Sequence, residues 1–135
     1  MTAVQWTPDL AVGVSLIDDQ HKELFKRIDQ LLEASSQGKG RDEIEKLIRF
    51  LSDYVVTHFG TEEKAMIQHG YGGITAHKGE HLAFVRDFGN LAKSYKTDGA
   101  STTLVLALQR RVIDWLNHHI RQSDKALGAF LKTKL

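Results

Sequence analysis

The stretch AHKGEH, residues 76 to 81, sets His77 and His81 four positions apart in a segment whose apolar periodicity is helical. Side chains at i and i+4 lie ~40° apart around a helix and ~6 Å apart along it, so two imidazoles at this spacing can point at one ion. His58 and Glu62, within HFGTE, repeat the spacing. A lone histidine on an apolar face is ordinarily a core residue hydrogen-bonded to a neighbour, and neither pair by itself demands a metal. The wider set changes that balance. His21, His58, Glu62, His77, His81 and His119 each fall on the apolar stripe of their own helix. Burying imidazoles and a carboxylate in a core costs on the order of several kcal/mol unless each finds a partner, and a metal satisfies all of them together.

Four amphipathic segments must position these groups. Pro8 sits in an irregular N-terminal arm over 1–16. Ser15 and Asp18 then read as a capping pair for a helix over about 17–36, whose face carries His21, Leu24, Phe25, Ile28 and Leu32. SSQGKG (35–40) stops it. A second helix over about 42–67 aligns Ile44, Leu47, Ile48, Leu51, Tyr54, Val55, His58, Glu62 and Ala65, and QHGYGG breaks it. Thr75 opens a third, over about 75–96, with His77, His81, Phe84, Val85, Phe88, Leu91 and Tyr95 inward; TDGAS (97–101) ends it. The fourth, over about 101–121, turns Leu104, Leu108, Val112, Trp115, Leu116 and His119 inward, and a short amphipathic tail helix over about 124–132 follows. Short loops between long helices imply an all-α, up-down-up-down antiparallel four-helix bundle with an N-terminal arm and a short C-terminal helix, one domain over 1–135. His21 and His77 lie near the starts of their helices and His58 and His119 near the ends of theirs, so an antiparallel arrangement brings all four to one level.

Asp124 admits two readings. At i+5 from His119 it turns ~140° away on a straight helix, which makes it a natural cap for the tail segment. A distortion of the fourth helix just after His119 would instead swing its carboxylate back toward the histidines.

Composition narrows the chemistry. There is no cysteine, so disulfides, thiolate metal sites and thiol catalysis are excluded, and any metal is held by nitrogen and oxygen. Lys and Arg number 18 against 17 acids, and the basic residues are scattered, which argues against nucleic acid as a partner. No signal-like N-terminus and no apolar run of ~20 residues is present, so a cytoplasmic location and no membrane association are expected.

Taken together, His21, HFGTE (58–62), HKGEH (77–81) and HIRQSD (119–124), with Trp6, DDQHKELF, HFGTEEKAM and WLNHHI around them, resemble the hemerythrin family, and within it the bacterial single-domain bacteriohemerythrins. The resemblance covers nearly the whole chain. It implies two oxo- or hydroxo-bridged iron ions (Fe-O-Fe): His77, His81 and His119 on one, His21 and His58 on the other, Glu62 and Asp124 bridging. Five imidazoles, two bidentate bridges and one shared oxygen leave one position of a six-coordinate pair open, on the two-histidine iron, where dioxygen binds. Leu116 matches the family position lining the oxygen pocket, and Phe25, Phe59, Trp115 and Ile120 are further wall candidates that are equally well read as core. The implied function is reversible dioxygen binding for storage, delivery or sensing, in a monomer without enzymatic activity that passes oxygen to an oxygen-consuming enzyme. The alternative is a di-iron enzyme reducing peroxide or nitric oxide on the same site. Two histidines lie outside the pattern: His69, and His118, which is ~100° off the inner face and reads as solvated. Gly60 and Gly79, between ligands, have no evident reason.

Overall fold

Val14 rather than Ser15 stands at the cap position of the first helix: its carbonyl accepts the first helical bond, from the Asp18 N–H at 2.9 Å. The computed structural model describes residues 5–37, 41–99 and 107–134. Asp18 does not form a capping box with Ser15. Its carboxylate turns back past the helix start to accept from the N–H groups of Val12 (2.8 Å) and Gly13 (3.2 Å), tying the arm to the positive end of the helix. The described part of the arm, from residue 5 on, is more ordered than its composition suggests. Pro8–Leu10 forms one 3₁₀ turn that buries Leu10, and the Lys22 ammonium lies 4.6 Å from the Trp6 ring centroid.

Helix α1 runs Ser15–Ser36, α2 Arg41–His69 and α3 Ile74–Asp98, each within a few residues of the sequence expectation. Gly70 ends α2. Its φ of +68° lets the chain reverse so that the Tyr71 N–H reaches the Met66 carbonyl at 2.9 Å and its own N–H reaches Ile67, the two bonds of a Schellman turn. At α3 the opening residue is Ile74, not Thr75; Gly73 supplies its carbonyl to the His77 N–H at 3.1 Å.

The fourth helix differs most from expectation. A π-helical stretch Leu108–Asp114 leads into α-helix Trp115–His119, a second π stretch Ile120–Asp124, and α-helix Lys125–Lys132. The residues at every junction keep right-handed helical dihedrals, so the tail is no separate helix: it continues the fourth. Its start near 101 lies outside the described residues, as do Leu104, the loop at 38–40 and the side chains of Ile44 and Leu108.

Helix α1 packs along α2, α2 along α3, and α3 against Leu108–Asp114, while Lys125–Lys132 returns to α2. No strand occurs among the described residues, and the architecture is the expected helical bundle. The inward stripes are buried as read from the sequence, with Leu24, Phe25, Ile28, Leu32, Leu51, Val55, Phe84, Phe88 and Tyr95 in one core. Val85 is an exception at 38% exposed, since eight residues on from His77 the i, i+4 track has drifted ~80° around the helix, to the edge of the stripe. Among the described residues no helix is long and apolar enough to cross a membrane.

Gly128, buried on the last α-helical piece, meets the arm at a spacing no side chain tolerates: a Cβ there would lie 2.2 Å from the Val12 carbonyl oxygen. A Cβ on Gly79 would meet nothing within 4 Å. Gly128→Ala is therefore expected to destabilise by about 1–3 kcal/mol through forced overpacking, whereas Gly79→Ala stabilises by about 0.5–1 kcal/mol through helix propensity. Chemical denaturation of the two variants checks both signs, and equal effects would contradict the close seating of the tail.

Candidate metal centre

Seven polar side chains share the interior of one end of the bundle: His21, His58, Glu62, His77, His81, His119 and Asp124, none more than 3% exposed. α1 supplies His21, α2 supplies His58 and Glu62 one turn apart, and α3 supplies His77 and His81 one turn apart. The fourth helix supplies His119 and Asp124. A π turn carries i→i+5 backbone bonds, and the Lys125 N–H does bond to the Ile120 carbonyl. That wider turn absorbs the extra residue between His119 and Asp124. The carboxylate lands on the inner face instead of ~140° away, and it caps nothing.

The two carboxylates divide their oxygens in the same manner. Glu62 Oε1 lies 3.2 Å from His77 Nε2 and 3.0 Å from His81 Nε2, while its Oε2 lies 3.5 Å from His21 Nε2 and 3.4 Å from His58 Nε2. Asp124 Oδ1 lies 2.9 Å from His77 and 3.2 Å from His119, and its Oδ2 lies 3.0 Å from His21. The donors thus form two groups, each compact enough to surround an ion: Glu62, His77, His81, His119 and Asp124 in one, His21, His58, Glu62 and Asp124 in the other. Both groups own both carboxylates.

Several of these atoms have no hydrogen bond despite burial: His21 Nε2, His58 Nε2, Glu62 Oε2 and both Asp124 oxygens. Buried polar atoms are rarely left this way in a native fold unless an ion or other ligand completes them. His81 Nε2 and His119 Nε2 face each other at 3.2 Å, while the Nδ1 of each faces a carboxylate: Glu63 at 2.9 Å for His81, Glu80 at 2.7 Å for His119. A carboxylate only accepts, so each Nδ1 carries the proton and each neutral Nε2 presents a lone pair to the other. A proton on one Nε2, or a metal ion between the two, makes that approach favourable. The residues fit a pair of metal ions, and a donor set of imidazole and carboxylate without thiolate suits iron.

The hemerythrin HHE cation binding domain matches residues 12–131. This chain belongs to the hemerythrin family. It is 36% identical over 132 residues to a bacteriohemerythrin of Methylococcus capsulatus, covering 97% of this chain and 98% of that one. It is 34% identical to a bacteriohemerythrin of Pseudomonas paraeruginosa, covering 92% and 78%. A crystal structure of a wild-type hemerythrin superposes with a TM-score of 0.81 at 37% identity, covering 96% of this chain and 95% of that one.

Around this hemerythrin site lies a further layer that sequence periodicity did not reveal. Gln20 Oε1 accepts from His58 Nδ1 at 2.7 Å, and Ser123 Oγ donates to both oxygens of Glu80 at 2.8 Å. Gln20, Glu63 and Glu80 each adjoin a site residue in the chain (His21, Glu62 and His81), and that adjacency was the available signal. Each serves a histidine on a different helix, which no single-helix pattern encodes. Of the wall candidates, Phe59 stacks on His81 with ring centroids 3.8 Å apart and planes 2° apart, and Trp115 stacks on His119 at 4.5 Å and 12°. Phe25, Leu116 and Ile120 are buried in the core, and Trp115 is half-buried. His118 is exposed.

Charge within the site is balanced by protons when no cation is present. Burial disfavours a charge on His21 and His77, but Asp124 and Glu62 outweigh it and lift both to about 9. His119 is raised in the same way, with Asp124 as the main opposing influence. At His58 burial dominates and pushes the imidazole down to about 4. Burial and the Asp124 charge favour the neutral acid at Glu62, yet His21, His77 and His81 hold it at about 2; His119, His21 and His77 hold Asp124 well below the usual carboxylate range against its burial.

The sign for stability follows by linkage. His21 and His77 hold protons more tightly folded than unfolded, so their contribution is complete below the ordinary value of 6.5 and is lost as pH rises through about 9. His58 acts oppositely, because the unfolded chain takes a proton there below 6.5 and the folded chain only near 4. The metal-free protein should therefore melt highest near pH 6.5 and progressively lower toward pH 9. The metal-loaded protein, whose imidazoles carry no ligand-site proton, should show no fall over that range, and uptake of metal at pH 7 should release protons into a weakly buffered solution. Melting curves of both forms across this range, with a pH-indicator dye during loading, check all three; a flat metal-free profile would contradict the proton balance.

Proposed function

We propose that this hemerythrin domain binds dioxygen reversibly at a pair of iron ions, His77, His81 and His119 holding one, His21 and His58 the other, with Glu62 and Asp124 bridging. The observation that carries the reading is the division of each carboxylate's oxygens between the two histidine groups. Family membership and the bacteriohemerythrin relatives support it. When bound, the iron pair supplies two electrons to dioxygen and recovers them on release.

The chain's own residues suit binding better than turnover. Five imidazoles and only two carboxylates favour the ferrous state, whereas oxygen-activating di-iron enzymes of the ferritin-like type draw mainly on carboxylates. His58, held neutral by burial, keeps its lone pair available to a metal at physiological pH. Phe59 and Trp115 clamp the rings of His81 and His119 by stacking. Phe25, Leu116 and Ile120, all buried, supply apolar bulk that keeps out water and the protons it would bring. In this reading residues 1–135 form one domain and the protein is a cytoplasmic, monomeric, non-enzymatic carrier that stores, delivers or senses dioxygen, with an oxygen-consuming enzyme as receiver.

The visible absorption spectrum of iron-loaded protein tests the reading: reduced without oxygen, exposed to air, then degassed. Colour that forms with oxygen and fades on degassing is the expected result. Irreversible oxidation with no such species would overturn the carrier reading in favour of a di-iron enzyme reducing peroxide or nitric oxide. Leu116→Asn, which puts a polar group one turn before His119, should hasten irreversible loss of the oxygenated colour about tenfold, the effect of a barrier lowered by about 1.4 kcal/mol. An unchanged decay rate would remove Leu116 from the water-excluding wall.

A further inference from the structure

The layer behind the histidines is unequal between the two groups. In the three-histidine group, His81 and His119 are backed by the carboxylates Glu63 and Glu80. In the two-histidine group, His21 Nδ1 is buried with no partner at all, and His58 Nδ1 is backed by the neutral amide of Gln20. An anionic acceptor behind an imidazole raises its basicity as a ligand, and an amide does so far less.

Gln20 is also not free to turn. Its amide nitrogen donates to Thr61 Oγ1 at 3.2 Å, and the Thr61 hydroxyl spends its hydrogen on the Thr57 carbonyl at 3.1 Å. A hydroxyl committed in that direction can only accept from the amide, so the NH₂ end must face Thr61 and the oxygen must face His58. His58 Nδ1 is then the protonated nitrogen, and Nε2 is left bare toward Glu62, 3.4 Å away. With the amide reversed, its NH₂ would confront Nδ1 and drive the histidine proton onto Nε2, the atom a metal needs.

We propose that Gln20, locked in orientation by Thr61, is a positioning residue that makes the His21–His58 position the weaker of two metal positions, filled second and emptied first. The proposal rests on the two-metal reading above and adds an order to it. Gln20 keeps His58 ready as a ligand, while its neutrality leaves the metal there less tightly held than its neighbour. The metal expected to carry the open position is thus also the one whose ligands give least charge.

Full-length protein loaded with Co²⁺ alone and equilibrated against graded chelator tests this through metal content and the cobalt visible bands. The wild type should release its two ions in separate steps, and His58→Ala should abolish the weaker one. Gln20→Ala should weaken that step about 10–100-fold, the usual effect of removing such a backing group, and leave the tighter step unchanged, which also reports an intact fold. Thr61→Val should shift the same step in the same direction and Thr61→Ser should restore it. Gln20→Glu, which supplies the missing charge, should tighten the weaker step and narrow the gap. The proposal is overturned if Gln20→Ala leaves both steps in place, if it moves both together, or if Gln20→Glu loosens the weaker ion. A wild type that takes up fewer than two Co²⁺ per chain would overturn the two-metal reading itself, and this proposal with it.

Discussion

Two carboxylates buried at the centre of five imidazoles are the constraint on which the rest of this bundle depends. Glu62 and Asp124 are 0% and 1% exposed, and neither charge can be stranded there without a cation. Every helix contributes to the answer. Because each carboxylate turns one oxygen to each histidine group, the relative heights of all four helices are set together. A shift of any one by a single turn, ~5.4 Å, would remove its ligands from the level of the others.

Distances within the site explain why protons alone make a poor substitute for metal. Three imidazoles are lifted in pKa by the two carboxylates, and one is pushed down by burial. The metal-free chain therefore neutralises Glu62 and Asp124 with imidazolium protons, yet six buried donor and acceptor atoms still lack hydrogen bonds among His21, His58, Glu62 and Asp124. A proton satisfies one donor and one acceptor along a line, whereas an ion accepts several lone pairs from several directions. The arrangement of lone pairs suits the second far better.

Much of this was legible in the sequence because an α-helix repeats regularly. The i, i+4 pairs His58/Glu62 and His77/His81 and, Val85 apart, the apolar stripes that carry them survive in the structure. Asp124 was not decidable by the same rule, since its spacing from His119 fits only a π turn, and a π turn has no sequence signal comparable to a periodic stripe. The tail helix reads as separate for a related reason: the angular step at 120–124 looks like a break when every residue is assigned 100°. Gln20, Glu63 and Glu80 were hidden because their partners lie across helices, where the deciding quantity is side-chain geometry rather than spacing. Gly60 and Gly79 stay unexplained in three dimensions too, as a Cβ at either meets nothing within 4 Å.

The second π turn joins the two levels of organisation. By inserting one residue after His119 it brings Asp124 to the metal side, and it also places Ser123 where its hydroxyl bonds both oxygens of Glu80. Glu80 in turn holds His119 Nδ1, so one irregular turn supplies a bridging carboxylate, anchors the backing of a neighbouring ligand, and directs the chain into the segment that seats Gly128 against Val12. Straightening that turn into α-helix with all of its residues kept would rotate everything beyond it by ~100°. Asp124, Ser123 and the tail packing would be lost together, although no ligand had been changed. Site and fold are thus set by the same few backbone hydrogen bonds, and the irregularity that made the sequence hard to read there is what assembles the centre.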